Sequence, residues 1–187
     1  MLGPEGPMRT LLLALALCLV LPAAGSAADL VLDHTPVHIY FSPDGGAEAA
    51  ILRAIGEARQ SVLVQGYIFT SAPIAQALVE AKGRGVLVEA VLDRKRNAKS
   101  DSCAPLLARA GIPVFTDGAH AVAHNKVILI DRQRVITGSF NFQKRAEDDN
   151  AENLLVLDSP ELARLYLDNY AAHRGHSAPY QEAAPAP

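Results

Sequence analysis

The fold of this chain is decided by the stretch HNKVILID at residues 124–131, followed after six residues by GSFN at residues 138–141. Four consecutive apolar residues, 127–130, predict a buried strand that ends at Asp131. A second apolar run at residues 134–137 predicts a strand that returns beside the first. The sequence therefore predicts a hairpin whose polar residues gather at adjacent strand ends.

The polar residues of this hairpin form a set that suits phosphate chemistry. His124 and Lys126 are two residues apart, so their side chains point to the same face of a strand. The returning strand delivers the hydroxyl of Ser139 and the carboxamide of Asn141. A nucleophile or base, a fixed cation and two neutral donors thus predict a phosphate site with its own reactive group.

The spacing H-x-K-x4-D-x6-G-S-x-N resembles the HKD motif of the phospholipase D superfamily. The segment NAENLLV at residues 150–156 resembles the downstream strand of that family, and residues 40–43, 58–70 and 84–93 resemble its opening βαβ repeat. The resemblance covers about residues 37–172. It favours the small bacterial endonuclease-like branch, because lipid-acting members usually carry two motifs in one longer chain.

This resemblance implies a two-step hydrolysis of phosphodiesters that needs neither a metal nor another cofactor. His124 would attack phosphorus and form a phosphohistidine, while a second histidine protonates the leaving oxygen. Imidazole suits both roles because its pKa lies near neutrality. Lys126, Ser139 and Asn141 would bind the non-bridging oxygens and stabilise the charge that grows in the transition state.

Two carboxylates complete the catalytic set that the resemblance implies, which comprises His124, Lys126, Asp131 and Glu152. Glu152 would accept a hydrogen bond from the far ring N–H of His124 and so fix its tautomer. Asp131 belongs to the motif, but its place at the far end of a strand favours a structural partner over a catalyst.

The implied mechanism needs two histidines, whereas the chain has one HxK sequence. The histidines outside it are His34, His38, His120, His173 and His176. The simplest solution is a homodimer whose twofold axis passes beside the site, so that each copy supplies one His124. The pair would titrate as a unit and give a bell-shaped pH profile.

Both ends of the chain are predicted to lie outside the folded domain. An apolar run of 11 residues at 11–21, followed by small residues, predicts a signal peptide at residues 1–28, cleaved after Ala28 or after Ser26. An uncleaved membrane anchor is the alternative, although the run is shorter than the roughly 20 residues of a spanning helix. We therefore expect a periplasmic or secreted protein without stable membrane association, and disorder in the Ala- and Pro-rich residues 175–187.

The rest of the chain, residues 29–174, is predicted to form one α/β domain with a mixed sheet flanked by helices on both faces. Predicted strands lie at 37–41, 61–67, 86–92, 112–115, 127–130, 134–137 and 150–157, and predicted helices at 45–59, 73–82, 101–110 and 160–173. Half of the 187 residues are hydrophobic, which is enough for a single core.

Removal of Cys18 with the signal peptide would leave Cys103 as a packed free thiol rather than half of an internal disulfide.

The net charge of −3 counts mildly against a nuclease, because a protein that relies on non-specific attraction to phosphate is usually more basic. Contact with a polyanion would depend on local clusters, such as residues 94–96 with Lys99, which otherwise form a solvated loop.

Zinc-like spacing occurs in His120-x3-His124, but without a nearby third ligand it predicts no metal site. His173 and His176 are expected to be solvated near a frayed C-terminus.

Three functions stay open on the sequence. The first is a metal-independent phosphodiesterase, most simply a non-specific endonuclease acting on DNA or RNA. The second is a phospholipase D that applies the same chemistry to a phospholipid head group. The third is a non-catalytic nucleic-acid-binding module that has kept the fold.

Overall fold

The computed structural model describes residues 27–182. Residues 1–26, which contain most of the predicted signal peptide, and residues 183–187 lie outside the described part. Within that part, no helix is long and apolar enough to cross a membrane.

The domain is built on one mixed sheet of eight strands in the order β1-β7-β6-β5-β2-β3-β4-β8. Strands β2, β3 and β4 are parallel, and every other neighbouring pair is antiparallel. The strands are β1 Val37–Ser42, β2 Ser61–Gly66, β3 Leu87–Asp93, β4 Val114–Asp117, β5 Lys126–Ile130, β6 Arg134–Gly138, β7 Glu152–Asp158 and β8 Ala178–Pro179. The predicted mixed α/β fold is confirmed.

Helices cover both faces of this sheet. They are α1 Ala47–Glu57, α2 Ala72–Gly83, α3 Arg94–Asn97, α4 Ala104–Arg109, α5 Lys144–Asp148 and α6 Pro160–His176. Helices α1, α2 and α4 pack into the larger core on one face, and α6 packs on the other. β5 is apolar throughout its interior because Ile128 faces the first core and Leu129 faces the second.

The helix starts follow local capping rules. Ser71 caps α2, since its Oγ accepts a hydrogen bond from Ile74 N at 3.3 Å, and Ser159 caps α6 by accepting from Leu162 N at 3.2 Å. A proline stands in the first turn of both helices, where its missing N–H costs nothing. Both helix starts were predicted from the sequence on these grounds.

The C-terminal segment differs from the prediction of disorder after residue 174. α6 continues to His176, and Ala178–Pro179 pair with β4 as the antiparallel strand β8. Tyr180 N also donates a hydrogen bond to Val114 O at 2.8 Å. Residues 178–180 are therefore held by sheet hydrogen bonds that the Ala- and Pro-rich composition of this segment does not reveal.

Cys103 forms no disulfide within residues 27–182 and is half-buried against the larger core. Burial raises the pKa of its thiol, which keeps it protonated near neutral pH. The prediction of a packed free thiol is confirmed for this residue.

Candidate active site

The candidate active site lies at one end of the sheet, where β5 begins, β6 ends and β7 begins. The register pairs Val127 with Thr137 and Gly138 with Leu154, which places these three strand ends side by side. At Gly138 a Cβ would lie 2.2 Å from Asn153 O, so only glycine lets β6 approach β7 so closely. The GSFN turn therefore begins at a position that the packing of two backbones reserves for glycine.

His124 and Lys126 are in direct contact at this edge. Lys126 Nζ lies 2.8 Å from His124 Nδ1 and 3.2 Å from Nε2, and donates to the backbone oxygen of His124 at 2.9 Å. Lys126 is only 7% exposed, whereas His124 is open to solvent. The pair thus presents a reactive ring to solvent with a nearly buried cation behind it.

Electrostatics in this pair favour the neutral imidazole. Partial loss of solvation, and then the charge of Lys126, hold the pKa of His124 below its ordinary value, although Asp93 opposes them. Burial lowers the pKa of Lys126, and the charge of Glu152 opposes this shift. A neutral imidazole has a free ring lone pair, which a nucleophile requires.

Two further side chains support His124, and the sequence reasoning did not assign them to the site. The Tyr67 ring lies 4.5 Å from the His124 ring, between centroids, and 5.3 Å from Lys126 Nζ. Asp93 is buried, and its Oδ2 accepts a hydrogen bond from Ala123 N at 2.9 Å, which fixes the backbone just before His124. Tyr67 and Asp93 stand at the carboxyl ends of the parallel strands β2 and β3, where α/β sheets carry their sites. Their position at these strand ends is the feature of the sequence that could have assigned Tyr67 and Asp93 to the site.

Glu152 is held differently from the prediction. Its Oε2 accepts a hydrogen bond from Ser139 Oγ at 2.6 Å, and its Oε1 accepts from Asn150 Nδ2 at 3.0 Å. Within residues 27–182 it has no hydrogen bond to His124, because the His124 ring nitrogens face Lys126 instead. In this chain Glu152 therefore orients Ser139 and acts on Lys126 through its charge, rather than fixing the tautomer of His124.

Ser139 and Asn141 occupy different surroundings in the GSFN turn. Ser139 is exposed, and its Oγ also accepts from Asn153 N at 3.0 Å, which ties the turn to β7. Asn141 is half-buried, and its Oδ1 has no hydrogen-bond partner in the described part of the chain. The carboxamide oxygen of Asn141 is thus not engaged by a neighbouring side chain, whereas the hydroxyl of Ser139 is.

Asp131 is not part of this site, which corrects its inclusion in the catalytic set. It lies at the opposite end of β5, where its carboxylate accepts three backbone hydrogen bonds, from Arg59 N at 2.9 Å, Gln60 N at 2.7 Å and Ser61 N at 2.9 Å. Its backbone has a φ of 53° in the turn that joins β5 to β6, a conformation that aspartate tolerates. Asp131 therefore connects this turn to the start of β2.

A basic pocket opens beside the site. It is lined by Tyr67, Asp93, Lys95, Arg96, Lys99, Ala121 and Val122. The predicted loop after β3 is instead the short helix α3, capped by Asp93 Oδ1, which accepts from Arg96 N at 2.7 Å. Arg96 forms a double hydrogen bond with Asp101, at 2.7 and 2.8 Å, whereas Lys95 and Lys99 are exposed. Two lysines thus stay open to an anion near His124.

The second basic cluster, Lys144-Arg145, is neutralised within α5. Lys144 pairs with Asp148, and Arg145 lies 3.6 Å from Asp149. Residues 147–149 form an acidic stretch, and its first member, Glu147, accepts a hydrogen bond from Glu48 N at the start of α1 at 2.9 Å. The acidic stretch therefore has local structural roles, and this cluster is a weaker candidate for binding an anion.

The zinc-like spacing His120-x3-His124 does not bring these two residues to a common site. His120 Nδ1 lies 3.1 Å from Asp117 Oδ2, whereas the ring nitrogens of His124 face Lys126. The two rings belong to separate groups at the two ends of one loop.

Comparison with known proteins places the chain in a family. The family described as "Cardiolipin synthase, PLD-like domain" matches residues 51–174. The phospholipase D of Rickettsia conorii (strain ATCC VR-613 / Malish 7) is 41% identical over 139 residues, which is 74% of this chain and 70% of that protein. The mitochondrial cardiolipin hydrolase of Homo sapiens is 34% identical over 124 residues, which is 66% of this chain and 49% of that protein.

Solved structures agree with this placement. Nuc from Salmonella typhimurium, a phospholipase D family member, is 39% identical with a TM-score of 0.76, covering 79% of this chain and 99% of that one. NucT from Helicobacter pylori matches with a TM-score of 0.72 over 78% of this chain and 99% of its own, but at 24% identity it shows the fold alone. Taken with the His124–Lys126 pair, these similarities show that the chain belongs to the phospholipase D family and is a phosphodiesterase.

Proposed function

We propose that this phosphodiesterase is an endonuclease that hydrolyses DNA or RNA without base specificity, with His124 as the nucleophile. The observation that carries the proposal is the basic pocket that adjoins the site through Tyr67. It combines two exposed lysines, Lys95 and Lys99, with an aromatic ring, which is how proteins hold a nucleic-acid backbone and its bases. Within residues 27–182, no inserted element for reading base edges accompanies it.

The reaction would proceed in two balanced steps. A neutral ring nitrogen of His124 forms a bond to phosphorus while the bond to the leaving oxygen breaks, and the imidazolium of the second histidine gives a proton to that oxygen. Water then attacks phosphorus and gives a proton to the second histidine, while the P–N bond to His124 breaks. The sum is one phosphodiester and one water converted to a phosphomonoester and an alcohol, with both histidines restored.

Lys126 is the group best placed to stabilise the transition state. Its nearly buried ammonium is already fixed by His124 O, so it needs no rearrangement when negative charge grows on the phosphoryl oxygens. The Asn141 carboxamide would serve as a second ligand. Ser139 would act mainly through Glu152, because the Ser139 hydroxyl is already donated to that carboxylate.

The second histidine is proposed to come from another copy of the chain. Three apolar side chains of the edge strand β1 support an interface: Val37, Ile39 and Phe41 are 42%, 57% and 63% exposed. They alternate along the strand and so share one sheet face, next to β7 and on the same side as α6. Contiguous exposed apolar surface of this kind is typical of a contact between proteins.

We also propose that the protein is exported to the periplasm or beyond the cell. This proposal rests on the apolar run and small residues of the predicted signal peptide, residues 1–28, most of which lie outside the described part. Comparison of the N-terminus of the protein recovered from the cell envelope with the encoded one tests it. An intact N-terminus in a membrane fraction would favour the retained anchor.

Phospholipid hydrolysis is the second candidate, favoured by the names of the relatives, phospholipase D and mitochondrial cardiolipin hydrolase. Val122, in the loop before His124 and at the rim of the basic pocket, is 48% exposed and could contact a lipid chain. The chemistry at phosphorus would be the same, and only the group that fills the basic pocket would differ.

The deciding experiment offers both substrates to the mature protein in excess EDTA. Plasmid and single-stranded DNA and RNA are scored for cleavage, and cardiolipin vesicles are scored for released phosphatidate, with His124→Ala as the matched control. The proposal predicts cleavage of nucleic acid that survives the chelator and disappears in the variant. Vesicle hydrolysis with intact nucleic acid would transfer the assignment to the lipid candidate.

The same samples test the intermediate. Brief reaction with a labelled substrate, followed by alkaline denaturation, should leave label on the wild-type protein and none on His124→Ala, since phosphohistidine is stable to alkali and labile to acid. Circular dichroism of both proteins in EDTA confirms that any loss of activity is not a loss of folding.

A further inference from the structure

A second cluster of ionisable side chains lies at the end of β4, at the start of the loop of residues 118–125 that leads to His124 and β5. Asp117 ends that strand, His120 follows it in the loop, and His173 and His176 belong to the last turn of α6. One ligand atom from each of the four lies within 4.8 Å of the others. We propose that this cluster binds one Zn²⁺ ion, which joins the loop before His124 to the C-terminal end of α6.

The distances fit the shape of a tetrahedral metal site. His173 Nδ1, His120 Nδ1 and His176 Nε2 lie 2.7, 3.1 and 3.1 Å from the same oxygen, Asp117 Oδ2. With Zn–N and Zn–O bonds of about 2.0–2.1 Å, neighbouring ligands of a tetrahedral zinc are about 3.3 Å apart. The three distances to Asp117 therefore lie within about 0.6 Å of the tetrahedral spacing, and the four ligand atoms, all within 4.8 Å of one another, would draw together around an ion.

The carboxylate of Asp117 is the centre of the cluster. His173 Nδ1 and His176 Nε2 face its Oδ2, and His120 Nδ1 lies 3.1 Å from Oδ2 and 3.2 Å from Oδ1. The other oxygen of Asp117, Oδ1, accepts a hydrogen bond from Ala119 N at 3.0 Å, which orients the carboxylate and keeps Oδ2 directed at the rings. Such outer hydrogen bonds commonly fix the ligands of a metal site.

The charge of Asp117 is also unusually placed. Its side chain is fully buried, and among the described residues its ion-pair partners are the three histidines rather than a lysine or an arginine. A buried carboxylate needs a cation or several donors. A divalent ion would supply the positive charge while leaving all three imidazoles neutral, the form in which they are ligands.

A buried amide next to the cluster points the same way. Gln65 is 2% exposed, and both of its side-chain polar atoms are without a hydrogen-bond partner in the described part of the chain. It lines the same small recess as Asp117, His173 and Asn125, the residue between His124 and Lys126. An unpartnered polar group at this depth is costly, and polar groups of this kind are found in the surroundings of bound ions.

The ligand types select the metal. Three imidazoles and one carboxylate favour zinc among the common ions over Mg²⁺ or Ca²⁺, which prefer oxygen ligands. Four protein ligands leave no open position, so the ion would stabilise structure and take no part in the reaction at phosphorus. The sequence prediction that His173 and His176 are solvated is wrong for His173, whose side chain is 15% exposed, whereas His176 is exposed and still brings Nε2 to Asp117.

The test uses the full mature chain without a histidine tag. The protein is stripped with a chelator and titrated with ZnSO4, the bound zinc is counted by mass spectrometry, and Tm is measured with and without the ion. We expect one zinc per chain and a rise in Tm of about 5 °C or more in excess Zn²⁺. Co²⁺ in place of Zn²⁺ should give the strong visible absorption of a tetrahedral site.

Two variants and one control make the result specific. His120→Gln, on an exposed loop, and His173→Gln should each lower zinc affinity by more than about 100-fold and abolish the Tm rise. His34→Gln, which changes a histidine that is 95% exposed and remote in sequence, should bind zinc like the wild type. The proposal is overturned if the wild type binds no zinc, or if both cluster variants bind it as the control does.

This outcome is independent of the nuclease assay. His124→Ala should still bind one zinc, and a protein without nuclease activity could still show the site. If prolonged EDTA treatment lowers activity and Zn²⁺ alone restores it in the wild type but not in His173→Gln, the effect belongs to this cluster rather than to the phosphate site.

Discussion

Lys126 Nζ lies 2.8 Å from His124 Nδ1, so the ammonium donates a hydrogen bond to the ring only while that ring nitrogen is unprotonated. The nearly buried cation therefore favours the nucleophilic form of the imidazole and is also placed to receive the phosphate. One contact links the protonation state of the nucleophile to the stabilisation of the transition state.

Replacement of Lys126 by methionine separates these two effects. Loss of the charge should lower kcat by about 100- to 1,000-fold, as for a single electrostatic stabiliser. Because Lys126 lowers the pKa of His124, its removal should raise that pKa and move the acidic limb of kcat/KM to higher pH. Residual activity measured against pH checks this, and an acidic limb that stays in place would contradict it.

Asp131→Asn should damage stability and leave the reaction intact. Burial alone would raise the pKa of Asp131, but three backbone N–H donors lower it overall. The carboxylate thus contributes stability above its unfolded pKa, about 3.9, and that contribution is lost as pH falls through the lower folded pKa. We expect a loss of about 1–3 kcal/mol in urea unfolding at pH 7, a smaller difference from wild type at pH 3, and an unchanged kcat per folded molecule. A large loss of kcat would restore Asp131 to the catalytic set.

Ser139→Ala and Glu152→Gln should act as one unit. Ser139 Oγ donates to Glu152 at 2.6 Å and accepts from Asn153 N, so either change breaks the same network. We expect each variant to lose about tenfold in kcat and the double variant to lose little more, because coupled residues are not additive. Fully multiplicative losses would show that Ser139 binds phosphate independently of Glu152.

Phe41→Glu tests the proposed homodimer. A charge on the apolar face of β1 should yield a monomer by sedimentation and reduce activity at least about 100-fold, since each site would lack its second histidine. His38→Glu is the matched control, because this exposed residue lies on the same strand and the opposite face. A fully active Phe41→Glu monomer would refute the sharing of the site.

Lys95→Ala with Lys99→Ala tests the basic pocket. Removal of two phosphate contacts should weaken binding of DNA similarly for all sequences and reduce the slope of log K against log salt by about two. Lys82→Ala, an exposed charge at the far end of α2, should change neither quantity. If Lys82→Ala weakens DNA binding as much as the Lys95→Ala, Lys99→Ala double variant does, the lysines attract DNA by general charge rather than through a defined groove.

The strands and the main helices were predictable because their signals are local. Alternating or continuous apolar runs, Ser caps and the prolines after them identified β5, β6, α2 and α6 with boundaries within a few residues. The meeting of His124, Lys126 and Ser139 followed from a single hairpin. These elements need only neighbouring residues to be recognised.

The parts that were missed depend on contacts between distant segments. Strand β8 exists because residues 178–179 find the free edge of β4, and His173 meets Asp117 only after α6 crosses the sheet. Glu152 was correctly predicted to lie at the end of the sheet near His124, but its hydrogen bonds go to Ser139 and Asn150 instead of His124. Packing decides which of several nearby polar groups a side chain bonds. None of these pairings leaves a periodic pattern in the sequence.

The pairing of β1 with β7 has a consequence for how the protein is made. Ser42 pairs with Glu152, 110 residues further along the chain, so β1 cannot join the sheet before β7 has been synthesised. Closing a loop of this length costs conformational entropy and slows folding. The edge that holds Glu152 is therefore completed only after the whole segment between these two strands has left the ribosome.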